Sequence, residues 1–221
     1  MGLLRSRTGT RQRHRAHYNR AAGRSPGRLA ELADGVFSIA MTLLVLELHA
    51  PAVEAIRDND QLRAGLLALA PKLATWVMSF LTLGIFWVAQ STQIEALARS
   101  NRDQTWMHLA FLAAVSLVPF TTAVLGEFPA LHLAMLVYWS NIVALGGLLL
   151  AIWSHAYRRG MLVDSWTDEM MAAINRRLLM SQGLYLAAAL LSLWQPLAGL
   201  ALMLVVQLNY AVAPRFGRWL G

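Results

Sequence analysis

The chain has 221 residues, 57% of them hydrophobic and 14% charged, with a formal net charge of +7 and no cysteine. Soluble globular chains carry roughly 25% charged residues, so this composition is displaced toward membranes and away from soluble enzymes. The lack of cysteine excludes disulfides, thiolate nucleophiles and cysteine-ligated metal sites.

Residues 1–27 form a basic tail, rich in Arg, Gly, Ser and Gln. The first 31 residues hold no continuous apolar core and are not read as a signal peptide. A membrane span needs about 20 mostly apolar residues to cross a hydrocarbon layer of roughly 30 Å. Six blocks approach that length: 32–50, 71–93, 106–125, 130–153, 178–194 and 197–213. The first helix is expected to begin near Arg28 and to stop before Pro51, which disfavours helix at the residue preceding it. Between the first two blocks, 62–69 has the pattern of a short helix lying on the membrane surface. Pro71 suits the first turn of the second span, where Trp76, Phe80, Phe86 and Trp87 include interfacial anchors. In the third span, Pro119 within Leu117-Val-Pro-Phe-Thr-Thr predicts a kink. Thr121 and Thr122 lie close enough to satisfy the freed backbone group. A short turn, Gly126-Glu-Phe-Pro129, leads to the fourth span. The loop after it mixes Asp164, Asp168 and Glu169 with four arginines, and Gln195-Pro196 marks a tight turn between the last two spans. The fold class predicted is an all-α membrane protein of six transmembrane helices. Its divisions are the tail over 1–27, a membrane domain over 28–213 and a short end over 214–221.

Charge placement predicts the orientation. With six spans, sixteen of the 19 arginines and lysines fall on the side of the two termini, eight of them within residues 5–28. The opposite side holds only Arg57, Arg63 and Lys72. That asymmetry predicts a multi-pass protein of the cell membrane with both termini cytoplasmic. Topology and attraction to anionic lipid account for the basic tail better than nucleic-acid binding does.

Six histidines are present, at 14, 17, 49, 108, 132 and 155, and none falls in a ligand-spaced group. There is no GxSxG, no Walker A loop, no GxGxxG and no TVGYG-type segment for a carbonyl-lined potassium filter. No catalytic, metal or cofactor site is predicted. The first span is the informative segment. Asp34 sits within its first turns, where a carboxylate is costly unless paired or hydrated, or caps the helix start, where the dipole favours negative charge. Gly35, Ile39, Thr42, Leu43 and Leu46 follow helical spacing on one face. Such a stripe is either ordinary helix packing or the lining of a narrow pore gated by dewetting, and periodicity does not separate the two.

The stretch Arg28-x-x-x-Leu32-Ala33-Asp34, continued by Gly-Val-Phe-Ser-Ile-Ala-Met-Thr-Leu-Leu-Val-Leu, resembles the first span of the TMEM175 family of potassium channels. The hallmark there is R-x-x-x-F-S-D followed by G-V-F-A-I-A-x-T-L-L-V-L. Further similar segments are Pro71-Lys with Ser79-Phe80 and Trp87, and Leu117-Val-Pro-Phe-Thr-Thr-Ala-Val-Leu-Gly-Glu, so that the resemblance covers most of residues 28–155. It implies a homotetramer in the bilayer, with potassium and other monovalent cations permeating along the first helix. It also implies a constriction at Ile39, with Leu43 and Leu46 as further narrow rings. Thr42 would supply a hydroxyl layer favouring potassium, with Gly35 and Ser38 lining the pore beside it. Arg28 and Asp34 would join Trp87 and Gln90 in a polar network tying the first helix to its neighbours. Leu32 and Ala33 stand where the family has Phe and Ser, and Gln90 and Ser91 stand where many members have His-His. Two other classes remain: a non-transporting oligomeric membrane module, and a proton-coupled carrier of small solutes working through Asp34.

Overall fold

A proline or a side-chain cap opens most helices of this chain, and those starts decide where each apolar block enters the bundle. The computed structural model describes residues 25–52 and 56–212. Helix α1 covers Pro26–Leu43, capped by the Ser25 hydroxyl and closed by a 3-10 turn over Leu44–Glu47. A short helix α2, Asn59–Ala68, starts on Asp58, whose carboxylate accepts from the Gln61 amide at 2.8 Å. None of its residues is buried, in keeping with the surface helix expected over 62–69. Helix α3 spans Ala70–Glu95 with Pro71 in its first turn. Helix α4, Arg102–Ser116, is capped by Asn101, and α5 follows over Val118–Glu127. Then come α6, His132–Arg158, α7, Asp168–Ser192, and α8, Pro196–Val212.

The expected break at Pro119 falls between α4 and α5. The Leu117 amide turns back to the Ala114 carbonyl at 3.3 Å, and Pro119 occupies the first turn of α5. The threonine hydroxyls do not reach the carbonyl freed one turn before the proline. Thr121 donates to the Val118 carbonyl at 3.1 Å, and the Thr122 Oγ1, 2.7 Å from the same carbonyl, turns its one proton either to it or to Ser79. Helix α7 opens ten residues before the apolar block at 178, so Arg176 and Arg177 belong to a helix rather than to the preceding loop.

Helix α1 packs on α3 and α4, α6 lies among α4, α5 and α7, and α8 closes the bundle against α7 and α3. Phe37 of α1 sits 6.1 Å from Phe111 of α4, which in turn lies 6.2 Å from Phe86 of α3, and these rings fasten α1 to the body. A buried polar strap crosses the interior. The Thr122 Oγ1 lies 2.7 Å from the Ser79 hydroxyl, the Tyr138 hydroxyl lies 3.0 Å from Thr82, and the Gln207 amide donates to Thr82. Within lipid the hydrophobic effect does not draw helices together, so close packing and such hydrogen bonds, at about 0.6 kcal/mol each, hold the interior. At one end Lys72 pairs with Glu127, joining the start of α3 to the end of α5. At the other, Gly160 at φ +57° ends α6, and Ala98 and Val163 exchange backbone bonds with Met161 and Ala96.

Among the described residues, four helical stretches are long and apolar enough to cross a membrane: Pro26–Glu47, Ala70–Glu95, Arg102–Glu127 and His132–Arg158. Helix α7 falls short because its opening residues carry its charges, and α8 is short, at 17 residues. Most of the basic tail, together with the end over 214–221, lies outside the described residues.

Candidate functional site

The two faces of α1 differ. Leu29, Ala33, Phe37, Ala40 and Leu44, at intervals of three or four residues, are buried against the bundle. The opposite face carries Arg28, Leu32, Gly35, Ser38, Ile39, Thr42, Leu43 and Leu46, all exposed. Ile39 is 61% and Leu46 63% exposed, against 1% for Phe37. The residues named for the constriction and the lining therefore share one uncovered face of the single chain. A Cβ added at Gly35 would meet nothing within 4 Å, so this glycine serves no close packing inside the protomer.

Thr42 shows how a hydroxyl on this face behaves. Its Oγ1 donates to the Ile39 carbonyl at 2.9 Å or to the Ser38 carbonyl at 3.0 Å. A hydroxyl has one proton and two acceptor lone pairs. With the proton turned back into the helix, the lone pairs are directed outward, where they can accept a hydrogen bond or meet a cation.

The four residues named for the polar network separate into two groups. Trp87 of α3 donates its indole N–H to the Asp34 carboxylate at 2.7 Å, a charge-assisted bond that ties α1 to α3. Gln90, one turn on, faces the interior and is bonded to His108 of α4, with Nε2 3.3 Å from the ring Nδ1. Arg28, exposed on the uncovered face, joins neither of these bonds. Its backbone amide meets Ser25, and the sole ion pair among the described residues is Lys72–Glu127.

His108 was not singled out by the sequence as a partner for Gln90. It belongs to a buried seam between α3, α4 and α6, where Gln93 donates to the Leu149 carbonyl at 3.3 Å and Gln104 to the Ile152 carbonyl at 3.4 Å. The available signal was polar side chains at helical spacing in otherwise apolar blocks, Gln90 with Gln93 and Gln104 with His108. Among the described residues no group of three or more His, Cys, Asp or Glu is placed to hold a metal.

The family model described as endosomal/lysosomal potassium channel TMEM175 matches residues 28–119, which hold α1, α3 and the uncovered face. A protein named as a potassium channel from Streptomyces collinus is 36% identical over 68% of this chain and 73% of its own length. Another so named, from Chamaesiphon minutus, is 32% identical over 75% of this chain and 83% of its own. The crystal structure of a lysosomal potassium-selective channel TMEM175 homolog from Chamaesiphon minutus superposes with a TM-score of 0.72 at 28% identity. That match covers 85% of this chain and 96% of the other. With sequence and fold matched over most of their lengths, the chain belongs to the TMEM175 family.

Proposed function

We propose that this protein is a potassium-permeable cation channel of modest selectivity, assembled from four copies around a pore lined by α1. The family is one of channels, not enzymes, and similar bacterial proteins carry the potassium channel name. One observation carries the reading to residues: the face of α1 with Gly35, Ser38, Ile39, Thr42, Leu43 and Leu46 is left uncovered while the opposite face is packed. Around a fourfold axis, that face becomes an inner wall. Ile39 then forms an apolar ring that excludes water when narrow. Four Thr42 hydroxyls, each with its proton committed to its own backbone, offer lone pairs that replace part of an ion's hydration. No carbonyl-type filter takes part.

In this reading six spans cross the bilayer: α1, α3, α4 together with α5, α6, α7 and α8. Residues 28–213 are the channel domain, and both termini face the cytoplasm at the cell membrane. The Asp34–Trp87 bond keeps α1 in register on α3, and Arg28 is free to meet a neighbouring copy. The permeant ion is potassium and no cofactor is needed.

The test is ion flux through purified protein in potassium-loaded liposomes with sodium outside. Potassium efflux faster than sodium influx is expected. No flux from a well-folded tetramer would mean a non-transporting module whose uncovered α1 face serves assembly alone. Saturable, proton-driven flux would mean a carrier.

A further inference from the structure

At the arginine-rich end, α3 and α7 stand apart. Each packs on α8, and between them lies a crevice of about 850 Å³, counting the space that opens outward. Val88 and Ala89 of α3, Ile174 and Leu178 of α7 and Tyr210 of α8 are among the residues that line it. Its one charged lining residue is Arg177. That guanidinium lies 5.6 Å from the centroid of the Tyr210 ring and has no carboxylate within ion-pair distance among the described residues. Asp168, at the start of the same helix, accepts instead from the Tyr157 hydroxyl at 2.7 Å.

Arg177 is the last charge before the apolar stretch 178–194. In a bilayer this sets the guanidinium at headgroup depth and the crevice beside the acyl chains. At that depth an arginine meets the phosphates of the headgroups. Phosphate is the partner whose geometry its donor fork fits. The same end carries Arg99, Arg102, Arg158, Arg159 and Arg176 together with the carboxylates of Glu95, Asp103, Asp164, Asp168 and Glu169, so the preference for an anionic over a zwitterionic lipid rests on Arg177 itself, the one charge lining the crevice.

We propose that the crevice between α3 and α7 holds one acyl chain of an anionic phospholipid, with its phosphate on Arg177. The site depends on membrane insertion and not on ion permeation, so a failed flux assay leaves it standing. The experiment incubates the purified full-length protein with mixed phosphatidylcholine and phosphatidylglycerol vesicles, recovers it in detergent, and quantifies retained lipid by mass spectrometry. Wild type is expected to retain phosphatidylglycerol preferentially. Arg177→Gln should retain about fivefold less, the change expected for one arginine near a membrane surface, while the neighbouring Arg176→Gln stays close to wild type. Ala89→Phe, which fills the crevice, should expel lipid without changing the mass of the assembly. Equal retention in the two arginine variants would overturn the proposal. So would displacement by glycerol phosphate, which carries the headgroup charge without a chain. A smaller assembly in Ala89→Phe would also overturn it, by showing that a second copy of the chain fills the crevice.

Discussion

Ile39→Asn separates a pore lining from a packing surface, because Ile39 is 61% exposed and its loss removes little from the protomer. Core truncations cost 2–5 kcal/mol because they leave cavities. A side chain with most of its surface uncovered leaves none, so the variant should fold and assemble as wild type does. Its effect is then on water. Four isoleucines around an axis offer no hydrogen bonds, whereas four asparagines each bring an amide. Taking about 0.5 kcal/mol for each polar group that helps keep the constriction wet, at the low end of transfer scales, four give about 2 kcal/mol. That lowers a permeation barrier by a factor of roughly 30. The assay is single-channel conductance, with a reversal potential in mixed potassium and sodium. Conductance should rise toward that factor, and potassium preference should fall as ions pass with more of their water. In the proposed pore Leu43 and Leu46 would form further narrow rings, and Leu46, two turns on, is the more exposed at 63%, so Ile39→Asn/Leu46→Asn removes any limit it imposes. Unchanged conductance in the single and double variants, at normal tetramer yield, would refute the placing of the constriction on this face.

Three further outcomes follow from the same geometry. Thr42→Ala removes the outward lone pairs and should lower potassium-over-sodium permeability about fivefold, the worth of roughly one hydrogen bond; an unaltered reversal potential would remove the hydroxyl layer. Trp87→Phe takes away the N–H that meets Asp34 at 2.7 Å, and Asp34→Ala removes its acceptor, so both should lower tetramer yield and thermal stability in detergent together; normal yield in both would leave the bond without a role in assembly. Phe37→Ala, at a site 1% exposed beside Phe111, should destabilise by about 2 kcal/mol in mixed-micelle unfolding. That lies below the 3–5 kcal/mol of a water-soluble core, because lipid already solvates apolar groups and only the cavity remains; no loss would mean that α1 is held elsewhere.

The helices were legible in the sequence because apolar blocks and their punctuation are strong, local signals. Pro71, Pro119 and Pro196 each sit at a helix start or break that follows from the missing N–H. The start of α7 was less legible. Its first ten residues are polar, and a hydropathy reading stops where the charges begin, although Thr167 caps the helix there by accepting from the Met170 amide at 3.3 Å. The destination of Gln90 was not legible at all. Its neighbour in the chain, Trp87, turns to α1, whereas Gln90 turns to His108 on α4. Which of two neighbouring helices a residue faces depends on how the bundle closes, and a single helix's periodicity holds no record of that.

The stripe on α1 was visible from its spacing, yet spacing alone did not separate a pore from ordinary packing, the commoner origin of such a stripe. What favours the proposed pore is the kind of residue left uncovered. Between the arginines that open α7 and Asn209 near the end of α8, the exposed side chains of these two helices are mostly of the sort lipid accepts: Leu179, Leu184, Leu186, Leu190, Leu197, Val205 and Leu208. The uncovered face of α1 instead mixes Ile39, Leu43 and Leu46 with Arg28, Gly35, Ser38 and Thr42. A surface meant for hydrocarbon gains nothing from a hydroxyl, and an arginine there is costly. A surface meant for tight packing within the protomer would be covered in the protomer. A face that alternates bulky apolar groups with small and hydroxyl-bearing ones suits a wall that must at one level exclude water and at the next replace it. The same alternation makes the case vulnerable at single positions, since wetting the Ile39 ring and stripping the Thr42 ring should move conductance and selectivity separately.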